Sequence, residues 1–139
     1  MERPRFHLAI PVDDLAAARV FYGKVLACPE GRSSSTWIDF DLHGHQLVLH
    51  DVGARQVDRA KNPVDGHGVP IPHFGLVLAW DAWEALAVRL REHDVPFALE
   101  PYVRFEGQPG EQGTFFVRDP AGNALEFKAF RDLGQLFAG

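Results

Sequence analysis

The chain has 139 residues, 46% hydrophobic and 24% charged, with a formal charge of −5, which suits one soluble globular domain with a real core. That acidic balance excludes nucleic acid as the main partner, because phosphate binding needs a basic face. No apolar run approaches the ~20 residues that cross a bilayer.

The single cysteine, Cys28, rules out an intrachain disulfide and a multi-cysteine metal site and reads as a small buried filler just past a helix. Residues 1–5 lack the apolar stretch of a signal peptide, so the expected location is cytoplasmic.

In chain order, Phe6, Leu8, Ile10 and Val12 alternate with His7, Ala9 and Pro11, the period-two pattern of a strand. Asp13 or Asp14 then caps a helix, on which Leu15, Ala18, Tyr22 and Val25 form one apolar stripe. Pro29, Gly31 and the serines at 33–35 break the chain. Strands follow at 37–42 and 46–50, joined by a short turn at His43-Gly44. Residues 53–70 are rich in Gly, Pro and charge without a steady period, and read as a linker or pocket-edging loop with no element of its own.

The same order then returns. A strand at 73–78 leads to a helix capped by Asp81 with Trp83, Leu86 and Leu90 on one side. Residues 97–105 form a less regular strand cut by Pro101. Residues 113–118 and 123–130 form a hairpin around Asp119-Pro120-Ala121-Gly122, each suited to a tight turn.

Two alignments test the repeat. Matching His7 to His73 sets the helix caps one residue apart, and matching Gly44 to Gly122 pairs Leu47 with Leu125, Val48 with Glu126 and Leu49 with Phe127. A slip inside a strand would flip its faces, so both alignments must hold together. Each half reads as βαβββ.

Alternation turns His7, His73 and Glu126 away from the apolar residues that pack under the helices. If the sheets curl into a cup with helices outside, all three face inward, with Ala9, Gly75 and Ala124 leaving room for a ligand. A lone strand histidine is ordinarily a satisfied polar group, but three such residues at repeat-related strand ends point to a metal site. Two imidazoles and a carboxylate hold a divalent ion with positions open for water and substrate. His50 shares the face of Val48 and is nominated as an acid/base, although a strand-end histidine beside a linker is the plain alternative. Trp37, Phe40, Phe105 and Phe116 supply a candidate aromatic lining, and Arg104 and Lys128, with Arg118, a candidate anion contact. His43 and His45 flank a turn and are expected to be exposed, while His67 and His93 have no evident partner.

These features resemble the vicinal oxygen chelate superfamily, which includes glyoxalase I, bleomycin-resistance proteins, extradiol dioxygenases and fosfomycin-resistance thiol transferases. The resemblance runs from Phe6 to Phe130. It rests on His7, on Asp13-Asp14-Leu15 with Phe21-Tyr22, on His73, and on the run from Phe115 to Glu126 that contains Arg118-Asp119-Pro120-Ala121-Gly122-Asn123.

The resemblance implies an α+β fold of two βαβββ modules, 4–52 and 71–130 around linker 53–70, making one domain over 1–139. It implies that His7, His73 and Glu126 occupy the metal-ligand positions, and that a homodimer completes the sites at its interface.

Three departures narrow the activity. Val48 stands where glyoxalase I usually carries a fourth ligand. Phe116 stands where extradiol enzymes, which also tend to be longer, carry an acid/base tyrosine ten residues before the glutamate. Ala9 stands where fosfomycin-type transferases carry threonine. The expectation is a metal-dependent small-molecule enzyme most like an extradiol-type dioxygenase, with Fe2+ favoured and Mn2+, Ni2+ or Zn2+ as substitutes. The alternatives are a metal-dependent lyase, isomerase or thiol transferase, and a metal-free small-molecule or antibiotic-binding protein of the bleomycin-resistance type. No nucleic acid or membrane is expected as partner.

Overall fold

The computed structural model describes residues 3–54 and 61–138. It is mixed α+β, and contacts divide it into two compact units. The first comprises Met1–Val57 with the turn Asp119–Asn123, and the second Asp58–Arg118 with Ala124–Gly139.

In the first unit β1 (His7–Val12) leads to a short helix α1 (Leu15–Arg19) that widens into a π-helical turn over Val20–Val25. Of the two aspartates, Asp14 is the cap, its Oδ1 accepting from the Ala17 amide at 3.1 Å. Ala18, Phe21, Tyr22 and Val25 are the buried side of this helical segment.

Strands β2 (Glu30–Ser33), β3 (Trp37–Leu42) and β4 (His45–Asp51) complete a sheet of order β1-β4-β3-β2. Strand β2 was not expected. It is a four-residue, fully exposed edge paired irregularly with β3, so it carries no hydrophobic pattern to read. The β3–β4 turn is the two-residue His43-Gly44, both at positive φ, the twist that matches antiparallel strands. His43 is exposed as expected, but His45 is half-buried and its Nδ1 accepts from the Phe6 amide at 3.0 Å.

The second unit opens with a hairpin, which corrects the reading of residues 53–70 as having no element. β5 (Lys61–Val64) and β6 (His67–Pro70) pair antiparallel around Asp65-Gly66, both at positive φ. The Asp-Gly turn was legible, but Pro63 and the charged flanks hid the strands.

Then β7 (His73–Leu78), α2 (Trp80–Glu92), β8 (Phe97–Arg104), β9 (Gln112–Arg118) and β10 (Ala124–Phe130) form a sheet of order β7-β10-β9-β8 with one helix. Asp81 is not the cap. The helix is entered from Ala79, and Asp81 lies in its first turn, accepting from the Ala82 amide. The β8–β9 register shifts around Pro101, as that proline foretold.

Both alignments of the repeat hold in the registers. His7 lies beside Gln46 in the parallel β1–β4 pair, and His73 beside Ala124 in the parallel β7–β10 pair. Ala9 therefore matches Gly75, and Val48 matches Glu126.

In the second unit Trp83, Leu90, Phe115, Val117, Leu125 and Phe127 are buried. Trp83 stacks on Phe115 and donates from Nε1 to the Phe127 carbonyl at 2.9 Å. With that face committed to the core, alternation turns Thr114, Phe116, Glu126 and Lys128 to the other.

Gly75 has a structural purpose besides the one expected. A Cβ there would lie 1.6 Å from the Glu126 carbonyl oxygen. The backbone of β10 fills the space where a side chain would stand, so this glycine permits close strand approach.

Candidate functional site

The site is built on one face of the second sheet. His73 is the first residue of β7, and its ring is fixed from both ends. Nδ1 donates to the Pro70 carbonyl at 2.7 Å, and Nε2 lies 3.2 Å from Glu126 Oε1. The edge-on ring of Phe116, with centroids 4.9 Å apart, holds its flank. The Thr114 hydroxyl donates to the other carboxylate oxygen, Oε2, so each oxygen of Glu126 has its own partner.

The electrostatics follow from these contacts. The hydrogen bond to Glu126 raises the His73 pKa, against burial and with help from the Pro70 carbonyl. Burial alone would raise the Glu126 carboxyl. Hydrogen bonds from His73 and Thr114, with the charge of Lys128, outweigh it and hold the group below its ordinary value. With Nδ1–H committed to Pro70, Nε2 of a neutral ring would aim a lone pair at an anionic oxygen. A cation between the two resolves that clash, and either a proton or a metal ion qualifies.

His73, Glu126 and Lys128 border two cavities of about 160 Å3 each. One opens along β7 past Gly75 and Val77. The other is walled by Val64 and Val69 of the hairpin and by Leu99 and Phe116, with Tyr102, Arg104 and Thr114 as its further polar groups.

Of the sequence-derived candidates, the second unit brings together His73, Glu126, Phe116, Arg104 and Lys128. His7 lies in the first unit, exposed on β1, where its Nδ1 is 2.8 Å from Gln46 Oε1. His50 is exposed on β4 in register with Trp37 and Pro11, and Trp37 itself is half-buried on β3 with Arg32 over its ring. Phe40 is corrected. It is 1% exposed and packed against Tyr22 in the core, because its parity on β3 matches Ile38 and Leu42. Phe105 is exposed at the end of β8 beneath Arg104. Among the described residues no three His, Cys, Asp or Glu side chains are grouped to hold a metal ion.

The sequence reading missed Thr114, Tyr102 and Asp65. Thr114 was reachable, since it lies two residues before Phe116 on the same face of β9. Asp65 was not, because it enters only through the hairpin.

The family model for the Glyoxalase/Bleomycin resistance protein/Dioxygenase superfamily matches residues 6–127. The chain belongs to that superfamily. A solved glyoxalase/bleomycin resistance protein/dioxygenase from Alicyclobacillus acidocaldarius is 35% identical, with 96% of each chain covered and a TM-score of 0.76. A lactoylglutathione lyase from Agrobacterium tumefaciens is 24% identical over 99% of this chain and 98% of that one, with a TM-score of 0.69. The fosfomycin resistance protein FosX from Listeria monocytogenes is 17% identical over 97% and 98%, with a TM-score of 0.72. The last two share the fold alone. No curated protein matches the sequence. Among the described residues no helix is long and apolar enough to cross a membrane.

Proposed function

We propose that this chain is a metal-dependent enzyme acting on a small oxygen-bearing molecule, most like an extradiol-type dioxygenase, with Glu126 and His73 as two ligands of a divalent ion. The observation that carries the reading is the convergence of His73 Nε2 on Glu126 Oε1 at 3.2 Å, with Nδ1 committed to Pro70. The donor chemistry fits such an ion: a half-buried imidazole and carboxylate meet at the border of two cavities. His7 is the third donor of the proposed set, from this chain or from a second copy in a homodimer. When bound, the ion would supply Lewis-acid polarisation or, as Fe2+, oxygen chemistry.

The chain's own residues have separable roles. Pro70 and Phe116 orient the His73 ring, and Thr114 holds Oε2 so that Oε1 stays directed at Nε2. Val64, Val69 and Leu99 give the cavity an apolar wall, and Lys128 lends positive charge. His50 is the nominated acid/base. Full turnover in His50→Ala on the true substrate would remove it from the mechanism.

Metal analysis of anaerobically purified protein, together with oxygen uptake on catechols, tests the proposal. The expected outcome is about one divalent ion per three-ligand site, with oxygen consumed. An ion other than iron, with no oxygen uptake, moves the assignment to a lyase, isomerase or thiol transferase, in line with the fold shared with the lactoylglutathione lyase. A metal-free binder of the bleomycin-resistance type is favoured by one observation, that His73 and Glu126 satisfy each other directly. A metal-replete preparation that retains no ion would bring it forward.

A further inference from the structure

Asp65, at the tip of the β5–β6 hairpin, reaches two residues of the cavity wall with one oxygen. Its Oδ2 accepts from Arg104 Nε and from the Tyr102 hydroxyl, the latter at 3.1 Å. His67, just past the same turn, lies against the Tyr102 ring with centroids 4.8 Å apart. Its neighbours Val64 and Val69 are lining residues of the cavity. One carboxylate therefore pins a wall of the cavity to the strand that forms the floor.

Three observations make this contact more than a surface ion pair. Arg104 is a lining residue with a side chain only 23% exposed, whereas Asp65 is 40% exposed, so the cation belongs to the cavity and the anion reaches in from its rim. Asp65 engages the guanidinium through Nε, whereas the five-donor fork can take a carboxylate through two parallel hydrogen bonds. Among the described residues the lining carries Arg104 and Lys128 against Glu126, so with a neutral His73 they hold one excess positive charge in a chain whose formal charge is −5. Asp65 cancels that charge. A carboxylate on a small ligand would cancel it equally well while burying its apolar part against Val64, Val69, Leu99 and Phe116.

We infer that Arg104 and Tyr102 form a carboxylate-recognition subsite which Asp65 fills as an internal stand-in, and that a small apolar monocarboxylate displaces Asp65 and frees the hairpin. The inference rests on the reading that this cavity is the substrate site, and names the class of substrate. At about 160 Å3 the cavity suits an acid of benzoate size. An internal competitor lowers apparent affinity by the fraction of time it occupies the subsite, so removing it tightens binding.

The test is titration calorimetry of benzoate into the full chain after chelator treatment, with benzamide as the neutral isostere and inorganic phosphate as a second anion. Benzoate binding is expected to tighten ~5-fold in Asp65→Asn and to weaken at least ~10-fold in Arg104→Gln, with Arg104→Lys between. Benzamide should respond to neither change.

Asp65 has φ near +50°, a conformation open to asparagine and glycine, so Asp65→Gly provides a second variant with the turn kept. Circular dichroism melts check that the variants fold. The inference is overturned if benzoate fails to bind wild type and both Asp65 variants, if folded Asp65 variants bind it no tighter, or if Arg104→Gln binds it as well as wild type. It is also overturned if benzamide gains as much as benzoate, or if only phosphate gains. Because the protein is metal-free throughout, these outcomes are independent of whether His73 and Glu126 hold an ion, which metal loading of Glu126→Gln measures separately.

Discussion

The two sheets share one strand order and one register, yet they treat their opening histidine differently. In the first, His7 meets the neutral amide of Gln46, which in turn reaches Asp39 Oδ2 at 3.4 Å. In the second, the residue beside His73 is Ala124, and the imidazole turns instead to Glu126 on the next inward position of β10. The first sheet has Val48 there. One scaffold thus carries a histidine bonded to an amide in one half and a histidine paired with a carboxylate in the other. The repeat supplies geometry, and single side chains on it supply chemistry.

The largest expected effect concerns the turns that close each β-hairpin. His43-Gly44 relies on backbone conformation and two exposed side-chain hydrogen bonds, from the Gly44 amide to Asp41 and from Arg5 to the Gly44 carbonyl. The turn at 119–123 is organised by Asp119, which is 4% exposed and accepts from the Tyr22 hydroxyl at 2.7 Å, the Ala121 and Asn123 amides, and Asn123 Nδ2. Burial, followed by the Asp119 charge, pushes the Tyr22 phenol well above its ordinary pKa. Asp119→Ala orphans several buried donors at once and should cost about 4 kcal/mol in urea unfolding. Tyr22→Phe should cost about 1.5 kcal/mol, since it removes one partner of a carboxylate that keeps the others.

Matched small residues come next. Gly75→Ala forces a methyl into the Glu126 carbonyl and should cost about 3 kcal/mol through displacement of β10. It should also weaken any ion held by Glu126.

Glu126→Val makes the second sheet copy the first. The His73 resonance in an NMR titration should then fall from its raised pKa, because the carboxylate that raises it is gone. Binding of a divalent ion should weaken at least ~10-fold. A His73 titration unchanged by the substitution would refute the coupling.

The smaller effect is the pH dependence of the metal-free protein. The raised pKa of His73 stabilises the fold below the ordinary imidazole value of 6.5, and that contribution is lost as pH climbs through the raised value. The lowered pKa of Glu126 stabilises it above the ordinary 4.5, and that is lost as pH falls through the lowered value. The melting temperature should therefore peak between about pH 4.5 and 6.5 and decline on both sides. In Glu126→Val the His73–Glu126 part of that decline should vanish. Smallest of all, Ala9→Gly in the first sheet should cost only ~0.5–1 kcal/mol in chemical unfolding, as a loss of backbone restriction with no close contact involved.

Much of this was legible in the sequence because alternation encodes faces. The parity of Leu125 and Phe127 turned Glu126 inward, and the registers bear out both the His7–His73 and the Val48–Glu126 equivalences. Parity misled where it was not applied, since Phe40 was grouped with Trp37 although adjacent odd and even positions face opposite ways. The hairpin was hidden for another reason. Its four-residue strands include Pro63 and Gly68, and among the residues whose burial is described they bury only Val69 and Pro70, so no hydrophobic period announces them. Asp65 could not be tied to Arg104 from sequence, because that pairing spans 39 positions and depends on the hairpin alone. Asp119 was read as a turn residue, and its bond to Tyr22, 97 positions away, carries no local signature.

Trp83 has a practical consequence. Its indole bonds to the carbonyl of Phe127, the residue after Glu126, and its ring fills the space that a side chain at Gly113, the residue before Thr114, would occupy. The fluorophore therefore touches the backs of the two strands whose fronts carry the candidate site, behind the sheet and out of reach of any ligand. Small shifts of β9 or β10 on loading would alter its surroundings without quenching by direct contact. The protein thus has a built-in optical gauge of occupancy, readable without labels once Trp37 and Trp80 are replaced.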